Sequence, residues 1–489
     1  MPDFRMGLIE SARLFVALCL LLRDTVIQSE NSRHLRIGVR RVLWSLAWAT
    51  ALVMVALSGA TYFGYLPGPQ FHLSAEAPAA DISMVVAPQP LSPLAPPKIG
   101  FNREDVLNDH LARINDAFAV DDGLRERVGF WFDVYTKFDE NRRILHHSRF
   151  PWVIFKVVDV TSIIESDTPR RRWMRNEKAD KFVKSEATKI RESLRRISRS
   201  ANLAKLKAED KELVEALRPL GKDIRKSARI AAQSVRMQVG QKNHFESGLA
   251  VSTKYLSSME KIFADAKLPT ELTRLPFVES SFNETATSRV GAAGIWQFMT
   301  TTGRQFKLVI NDRIDERRSP LKASEAAARL LKENHMILHR SWPLAVTAWN
   351  HGPQGVRKAM KASGSRDIHK IIARYSSRNF NFASSNFYAE FLAALYAEKY
   401  HDLIFDVERG LHLNLHVVSL PRSIRLNELI KVSGLSRDEF LAINPDLLKT
   451  ANINGLVPAG FKFHVTAEAR ATIERRFALA VADNNSPRS

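Results

Sequence analysis

A single glutamate lies in an apolar stretch of the chain. The segment LPFVESSFNETATSRVGAAGIWQFM, residues 275–299, places Glu279 close to Leu275, Phe277 and Phe282. Burying an unpaired carboxylate costs several kcal/mol unless its pKa rises and the group becomes neutral. A carboxyl group that stays protonated near neutral pH can act as a general acid. The residues around Glu279 therefore predict proton-transfer chemistry at this position.

The elements that must position Glu279 are predicted to be helices joined by a glycine-rich turn. Pro269 precedes the segment that carries Glu279, and Pro320 precedes the periodic run ASEAAARLLKENH. Because proline is tolerated in the first turn of a helix, we expect helices to begin near both prolines. Between them, Gly291 and Gly294 fit a turn in which the backbone approaches a ligand or takes a positive φ.

The whole chain carries a strong positive charge. Its 489 residues include 72 Lys and Arg against 52 Asp and Glu, for a net charge of +20. This excess favours an acidic partner, such as nucleic acid, anionic lipid or an acidic cell-wall polymer. The only cysteine, Cys19, excludes an intramolecular disulfide and a cysteine-based metal cluster.

An apolar run near the N-terminus predicts a membrane anchor. Residues 42–66 contain no charged side chain, and as a helix they would rise about 37 Å, enough to cross a hydrocarbon core of roughly 30 Å. Arginines precede the run and the next Lys or Arg is Lys98, so the positive-inside rule places residues 1–41 in the cytoplasm. A cleaved signal peptide with a small-residue site at Ser58–Ala60 is the alternative. The length of the run favours the uncleaved anchor.

Two regions of different composition follow the apolar run. Residues 67–100 hold eight of the chain's 21 prolines and predict an extended linker. Residues 101–240 are predicted to form a helical, basic accessory region. Within it, residues 170–229 hold 20 Lys and Arg against 9 Asp and Glu, with apolar residues at helical spacing. We expect two or three amphipathic helices there, whose basic face is either a solvated surface or a platform for an anionic polymer or lipid.

An apolar stripe at helical spacing lies near the start of the accessory region. Such a stripe is more typical of a helix that faces the core than of a binding site. Its members are Leu124, Val128, Trp131, Phe132 and Tyr135.

Three segments in order resemble the catalytic domain of a known enzyme family. They are residues 275–299, RIDERRSPLKASEAAARLL and AVTAWNHGPQGVRKAM. Together they resemble lytic transglycosylases of the soluble-lytic-transglycosylase (SLT) type, and most closely the membrane-bound type D branch. The family pattern reads Glu-Ser, Ala-x-Ser, Gly-Ala-x-Gly-x-Trp-Gln-Phe-Met and Ala-Tyr-Asn-x-Gly, and this sequence meets nearly all of it.

The resemblance implies a lysozyme-like helical domain that acts on peptidoglycan. The implied reaction cleaves the β-1,4 bond between N-acetylmuramic acid and N-acetylglucosamine and leaves a 1,6-anhydromuramyl end, without water. By position, Glu279 is the acid that protonates the glycosidic oxygen and then the base that takes the proton of the muramyl O6 hydroxyl. We expect neither a metal nor a cofactor.

The resemblance also assigns a substrate site. Ser288 corresponds to a hydroxyl near the N-acetyl group, Gln297 and Met299 to residues that line the groove, and Asn350 to the downstream motif. Trp296 is more typical of a core residue than of one that stacks on a sugar. The residues assigned to substrate binding are Ser288, Gly294, Gln297, Met299, Asn350 and Tyr388.

The supply of carboxylates favours an intramolecular transfer over hydrolysis. Ordinary glycosidases use two carboxylates, but between Glu279 and Met299 the only other acid is Glu284, which we expect to be exposed. One carboxyl is sufficient if the substrate supplies its own nucleophile. The acids that follow, including Asp315, are expected to pair with neighbouring arginines such as Arg317 at the surface.

Two departures from the family pattern leave alternatives open. Trp349 replaces the usual tyrosine, which removes a hydroxyl near the acid, and Ser384 and Ser385 stand where Glu-Thr is usual. A non-catalytic scaffold that binds peptidoglycan, or a hydrolase of the muramidase type, therefore remains an alternative. The predicted external position argues against nucleic acid as the partner.

The predicted architecture is mainly α. A lysozyme-like domain at 241–405 follows the accessory region, and a small α+β module at 411–466 precedes a C-terminal tail at 467–489. The module faintly resembles LysM, which binds N-acetylglucosamine chains, and an unrelated packing domain is equally consistent with it. The predicted partners are glycan strands and the inner membrane, with a cell-envelope protein complex as a further candidate. The predicted location is the inner membrane, with a single span and a periplasmic catalytic part.

Overall fold

The computed structural model describes residues 101–165 and 172–484. The predicted anchor at 42–66 and linker at 67–100 lie outside the described residues. Within the described part, no helix is long and apolar enough to cross a membrane. The described residues are mainly helical, as predicted, and all belong to one compact unit.

The accessory region contains six helices and three strands among its described residues. The helices are α1 (Arg103–Leu107), α2 (Asp122–Thr136), α3 (Thr161–Ile164), α4 (Arg172–Arg199), α5 (Ala208–Leu217) and α6 (Ile224–Ala231). The strands are β1 (Arg142–His147), β2 (Ile154–Asp159) and β3 (Val235–Val239). They form one antiparallel sheet in the order β2-β1-β3, with His146 of β1 opposite Arg236 of β3. The region predicted to be helical and basic therefore also contains a small sheet, which the sequence analysis did not predict.

Helix α2 buries the apolar stripe that was predicted to face the core. The Asp121 side chain caps its first turn by accepting a hydrogen bond from the Gly123 amide at 2.7 Å. All five members of the stripe, from Leu124 to Tyr135, are buried. The stripe is therefore core, as its spacing predicts.

The basic segment forms three amphipathic helices, α4, α5 and α6, in agreement with the prediction. Their apolar faces share a separate cluster that includes Val183, Leu194, Leu217 and Ala228. The Asp210 carboxylate accepts hydrogen bonds from Arg196, while many of the other Lys and Arg side chains point to solvent. The basic side chains thus lie mainly on the solvent-facing side of these helices.

The next part of the chain is helical throughout its regular elements. It comprises α7 (Lys242–Ser252), α8 (Leu256–Asp265), α9 (Leu275–Ser280), α10 (Thr300–Gln305), α11 (Pro320–Ile337), α12 (Trp342–His351), α13 (Pro353–Ser363), α14 (Ile368–Arg374), α15 (Phe382–Lys399) and α16 (His401–Ile404). Pro320 opens α11, as predicted, and Pro269 precedes a 3₁₀ turn that leads into α9. Helix α15 is central and packs against α2, α9 and α12.

One hydrophobic core extends from Val106 to Phe405. It includes Phe132 and Tyr135 of the accessory region together with Phe277 and Phe391 of the helical part that follows. The core therefore continues across residue 240. The proposed domain boundaries stay predictions.

The C-terminal segment forms a small α+β module with its own core. It contains β4 (His416–Ser419), β5 (Ile424–Arg425), α17 (Leu426–Ser433), α18 (Arg437–Ile443), α19 (Leu448–Asn452), β6 (Leu456–Val457), β7 (Lys462–Val465) and α20 (Ala467–Asn484). Strand β4 pairs antiparallel with β7, and β5 with β6. Ile314, from the segment before α11, also lies in the core of this module.

Candidate active site

Glu279 lies in the last turn of the short helix α9. The helix ends immediately after it, because Ser281 and Phe282 both take left-handed backbone conformations, with φ of 50° and 57°. The Ser280 hydroxyl donates a hydrogen bond to the Ile295 carbonyl at 2.9 Å. The end of α9 is thereby fixed to the glycine-rich segment that follows in sequence.

The environment of Glu279 favours its protonated form. Burial raises the pKa of Glu279 to about 8, and a hydrogen bond from the Trp349 side chain opposes this rise because it stabilises the ionised form. Although protein surrounds most of the carboxyl group, the side chain is only half-buried. Glu279 can therefore hold a proton near neutral pH and present it to a ligand.

Trp349 supplies the donor that the substitution of tyrosine was expected to remove. Its ring lies 5.4 Å from that of Trp296 and 5.3 Å from that of Phe298, measured between ring centroids. Its indole N–H is the group able to donate to the Glu279 carboxyl. The departure from the family pattern thus changes the donor near the acid without removing it.

Trp296 belongs to the core, as its apolar neighbours predict. It has no exposed surface, stacks on Phe263 with ring centroids 5.9 Å apart, and donates a hydrogen bond to the Ser324 hydroxyl at 2.9 Å. Its position beneath Trp349 supports the ring that contacts Glu279.

The segment at 288–299, which we call the groove loop, contains tight turns. The Ser288 hydroxyl accepts a hydrogen bond from the Ala292 amide at 2.9 Å. Gly291 and Gly294 take positive φ values of 88° and 75°. A Cβ atom at Gly294 would lie 1.9 Å from the Arg317 carbonyl oxygen, whereas one at Gly291 would meet nothing within 4 Å. Gly294 is therefore required by packing as well as by backbone conformation.

A buried ion pair holds the groove loop. Arg317 donates to the carbonyls of Gly291 and Phe298 at 2.7 and 3.1 Å. It also forms two hydrogen bonds of 2.8 Å with the Asp315 carboxylate. The expectation of surface pairing is wrong here, since both side chains are more than nine-tenths buried. The two loop carbonyls and the Asp315 carboxylate together satisfy the buried guanidinium.

The C-terminal module contacts the same ion pair. The Asp315 amide donates to the Asp446 carbonyl at 3.0 Å, and Lys322 forms a salt bridge of 2.6 Å with the Asp446 carboxylate. The Thr450 hydroxyl donates to the Arg313 carbonyl at 2.7 Å. The module therefore braces the segment that carries Arg317, and through it the groove loop.

The remaining groove residues predicted from the sequence differ in exposure. Gln297 takes a positive φ of 46°, and its side-chain amide donates to the Gly294 carbonyl at 2.8 Å. Met299 is 41% exposed and precedes α10. Ser288 and Gln297 are half-buried, and Gly294 is buried. The groove loop thus brings four of the predicted substrate residues together.

Asn350 and Ser384 meet at a second edge of the site. The Ser384 hydroxyl donates to the Asn350 side-chain oxygen at 3.0 Å and lies 3.0 Å from the His351 Nδ1 atom. Asn350 is exposed, and burial lowers the pKa of His351. The serine that replaces the usual family acid is therefore part of a polar bridge between α12 and α15.

Tyr388, also assigned to substrate binding from the sequence, is a core residue. It is buried, stacks on Phe391 with ring centroids 6.1 Å apart, and interacts electrostatically with Tyr396 and Asp121. Burial raises its pKa. These neighbours place Tyr388 in the core around α15 and α2.

Glu284 was expected to be exposed, but it is not. The Tyr255 hydroxyl donates a hydrogen bond to its carboxylate, and Lys254 lies 3.7 Å away. The side chain is half-buried. The turn after α9 directs it towards α8 because Ser281 and Phe282 reverse the backbone.

Sequence reasoning missed a second acid beside Glu279. Glu390 of α15 is half-buried and interacts electrostatically with Glu279. Burial and the charge of Glu279 raise the pKa of Glu390 to about 8. The signal was present, since Glu390 lies in the run FYAEFLAALY. This is the pattern of one acid in an apolar stretch that identified Glu279.

Part of the chain matches a known family model. Residues 248–372 match the family model described as "Transglycosylase SLT domain". The SLT type inferred from the motifs is confirmed for this part of the chain.

Two curated proteins are similar to part of this chain. The chain is 38% identical over 99 residues to the membrane-bound lytic murein transglycosylase D of Escherichia coli K12, covering 20% of this chain and 22% of that protein. It is 32% identical over 93 residues to a putative tributyltin chloride resistance protein of Alteromonas sp. M-1, covering 19% of this chain and 45% of that protein. The match thus spans about a fifth of the length of the E. coli relative and under half of the length of the Alteromonas relative.

Proposed function

We propose that this chain is a lytic transglycosylase that cleaves peptidoglycan. The proposed reaction breaks the β-1,4 bond between N-acetylmuramic acid and N-acetylglucosamine and leaves 1,6-anhydromuramyl ends. The match to the SLT family model and the name of the E. coli relatives support this reaction class. The observation that carries the proposal is Glu279 itself, a half-buried acid inside the matched segment whose pKa is raised to about 8.

In the proposed mechanism Glu279 serves both half-reactions. Its proton passes to the glycosidic oxygen as the bond from the muramyl C1 atom to that oxygen breaks. The resulting carboxylate then accepts the proton of the O6 hydroxyl as the bond between C1 and O6 forms. The acid is regenerated and no water is consumed. General acid and base assistance of this kind contributes about 10²–10⁴-fold to a rate.

Trp349 has a defined part in this cycle. Its N–H donates a hydrogen bond to the Glu279 carboxyl, and this hydrogen bond is stronger when the carboxyl is ionised. In the catalytic cycle Glu279 is ionised between the two proton transfers. We infer that Trp349 stabilises that intermediate state. Ser288, Gln297 and Met299 on the groove loop, with Asn350 opposite, are proposed to hold the glycan strand.

A muramidase-type hydrolase is the second candidate function, and Glu390 is the observation that favours it. Hydrolases use two carboxyl groups whose pKa values are pushed apart, so that one is protonated while the other is ionised. Here the pKa values of Glu279 and Glu390 are raised in the same direction, both to about 8. Neither carboxyl is set up as an ionised nucleophile or base at neutral pH. This favours the transglycosylase.

The remaining parts of the chain have proposed roles around this reaction. Residues 42–66 would anchor the chain in the inner membrane with the catalytic part in the periplasm. The module at 411–466 places three helices, α17 to α19, and the strand pair β5 and β6 between the paired strands β4 and β7. The faint likeness of its sequence to LysM is the basis for proposing that this module holds glycan. The basic face of α4–α6 is proposed to contact acidic wall polymer.

The products released from purified sacculi test the proposal. The full chain should release muropeptides with anhydro ends, identified by mass spectrometry. Products with reducing ends would instead establish hydrolysis. Absence of any release, with sacculus binding retained, would establish a scaffold. Glu279→Gln, assayed in parallel, shows whether the release comes from this site.

A further inference from the structure

Two side-chain stripes run next to each other where α2 packs on α15. On α2, Arg127 and Trp131 both donate hydrogen bonds to the Asn386 side-chain oxygen, at 2.7 and 3.2 Å. The ring of Trp131 also lies 6.1 Å from that of Phe382. Because residues four apart share one face of a helix, the next position of the stripe on α15 is Glu390.

The corresponding next position on α2 is Tyr135, which is buried. Its hydroxyl interacts electrostatically with Glu390 and with Glu279. Helix α9, which carries Glu279, packs directly against α15. The packing of these helices and the shared neighbour Tyr135 bring the two acids into one region bounded by α2, α9 and α15, which we call the acid pocket.

The pocket also contains positive charge, but no ion pair for Glu390. Arg236 of β3 lies 4.0 Å above the ring of Phe382, and Arg127 is buried on α2. Both lower the pKa of Glu390, though less than burial and Glu279 raise it. Among residues 101–165 and 172–484, Glu390 has neither a salt bridge nor a hydrogen-bond partner. An acid left unpaired in such a pocket costs stability and points to a functional cause.

We propose that Glu390 and Glu279 form a coupled carboxyl pair, in which Glu390 acts through Glu279 and helps it keep its proton as the pH rises. This rests on the proposed function of Glu279 as the acid. Two carboxyl groups that interact with each other resist ionising together, so the loss of the first proton is shared and the loss of the second is delayed. Glu390 is thus a positioning residue for the proton and transfers none itself.

The pH dependence of catalysis tests the coupling. If the two groups interact by about one pKa unit, Glu390→Gln should lower kcat about fourfold near pH 9 while leaving it within about twofold near pH 6. The alkaline limb of the variant should be steeper and lie at lower pH than that of the full wild-type chain. An equal loss at every pH, or superimposable profiles, would overturn the proposal.

A matched control separates coupling from the general effect of losing a buried acid. Glu246 on α7 is also half-buried, and burial raises its pKa, but its charged neighbour is Lys242. Glu246→Gln should leave the shape of the pH profile unchanged. A shift equal to that of Glu390→Gln would show that any lost acid has this effect, and would overturn the pairing.

Carboxyl titration measures the pair without any substrate. In the full chain with ¹³C at the glutamate carboxyl carbon, the Glu279 signal, assigned by its loss in Glu279→Gln, should titrate in a broadened curve. In Glu390→Gln it should titrate in one simple step at lower pH. An unchanged Glu279 curve would overturn the coupling even if the enzyme is active. The predicted change, seen in a chain that releases no muropeptide, would support the pair and remove only the proposed function.

Discussion

The two sides of Glu279 are built on opposite principles. On the groove-loop side, the buried groups of Arg317 and Asp315 satisfy each other and two loop carbonyls. On the α2–α15 side, the acids Glu279 and Glu390 share a pocket, and the pKa of each is raised by burial. One side fixes geometry through satisfied hydrogen bonds. The other side keeps its acids protonated at a cost in folding stability, as is common at catalytic sites.

The largest expected effect comes from removing the acid on the unsatisfied side. Glu279→Gln keeps the size of the side chain but cannot donate the proton, so release of anhydromuropeptides should fall at least about a hundredfold. Its stability above neutral pH should be equal or higher, because the variant has no buried acid to ionise.

Glu284→Gln is the control for this change. Glu284 contacts Tyr255 and Lys254 rather than the pocket. Its activity should stay within a few-fold of wild type. A comparable loss in both variants would point to two-carboxylate hydrolysis, and full activity of Glu279→Gln would exclude Glu279 from the chemistry.

The satisfied side should instead be sensitive to packing. Gly294→Ala would place a methyl group against the Arg317 carbonyl, at a backbone φ of 75°. We expect the free energy of unfolding, measured by denaturant titration, to fall by about 4 kcal/mol or more.

Gly291→Ala is a matched comparison. Gly291 has a similar φ of 88° but open space at the Cβ position. Its cost should be limited to backbone strain, about 1–2 kcal/mol. Equal losses in the two variants would show that the Arg317 contact is unimportant.

A smaller effect is expected where the two sides meet, at Trp349. Trp349→Phe keeps a ring beside Trp296 and Phe298 but removes the N–H that bonds to Glu279. The loss of one charge-assisted hydrogen bond should lower kcat about tenfold. Since that bond lowers the pKa of Glu279, the alkaline limb of the kcat profile should move to higher pH.

Trp342→Phe on the same helix provides the control for Trp349→Phe. Its ring stacks on His335 with centroids 3.7 Å apart, away from Glu279. Activity and pH profile should both be retained. A shift of the alkaline limb to lower pH in Trp349→Phe would contradict the assigned hydrogen bond.

The smallest effect is a dependence of stability on pH. A glutamate in the unfolded chain has a pKa of about 4.3, below the folded values of about 8 for Glu279 and Glu390. Their stabilisation is therefore complete below the unfolded pKa and is lost as the pH rises through the folded pKa. The free energy of unfolding should therefore decrease as the pH rises from about 4.3 to about 8, and level off above the folded pKa.

The double variant Glu279→Gln with Glu390→Gln should show a flatter dependence over this range. The buried His146 and His147, whose pKa values are lowered to about 3 and about 4, affect stability only on the acid side. Denaturant titrations at several pH values above 6.5 would therefore isolate the carboxyl contribution. An equal slope in both proteins would contradict the raised pKa values.

The features that could be predicted from the sequence are those set by residues close together in the chain. The apolar surroundings of Glu279, the stripe on α2 and the positive φ at Gly294 each follow from residues a few positions apart. The strand pairing of β1 with β3 could not be predicted in this way, because the three helices α4–α6 separate the two strands.

The missed features of the site are also long-range. The burial of Asp315 with Arg317 depends on the C-terminal module, which packs on them through Asp446. The meeting of Glu390 with Glu279 depends on how α15 and α9 pack. In each case the residue types were visible, but their partners are distant in sequence.

The core that continues across residue 240 has a consequence for modularity. Tyr135 and Arg236 reach the acid pocket from before that residue, while Glu279 and Glu390 come from after it. Recombination at residue 240 would therefore exchange part of the pocket wall together with the accessory region. A chimera joined there would inherit foreign charges beside its own acid. Such a protein would differ from its parents in the pH range of its chemistry as well as in its surface.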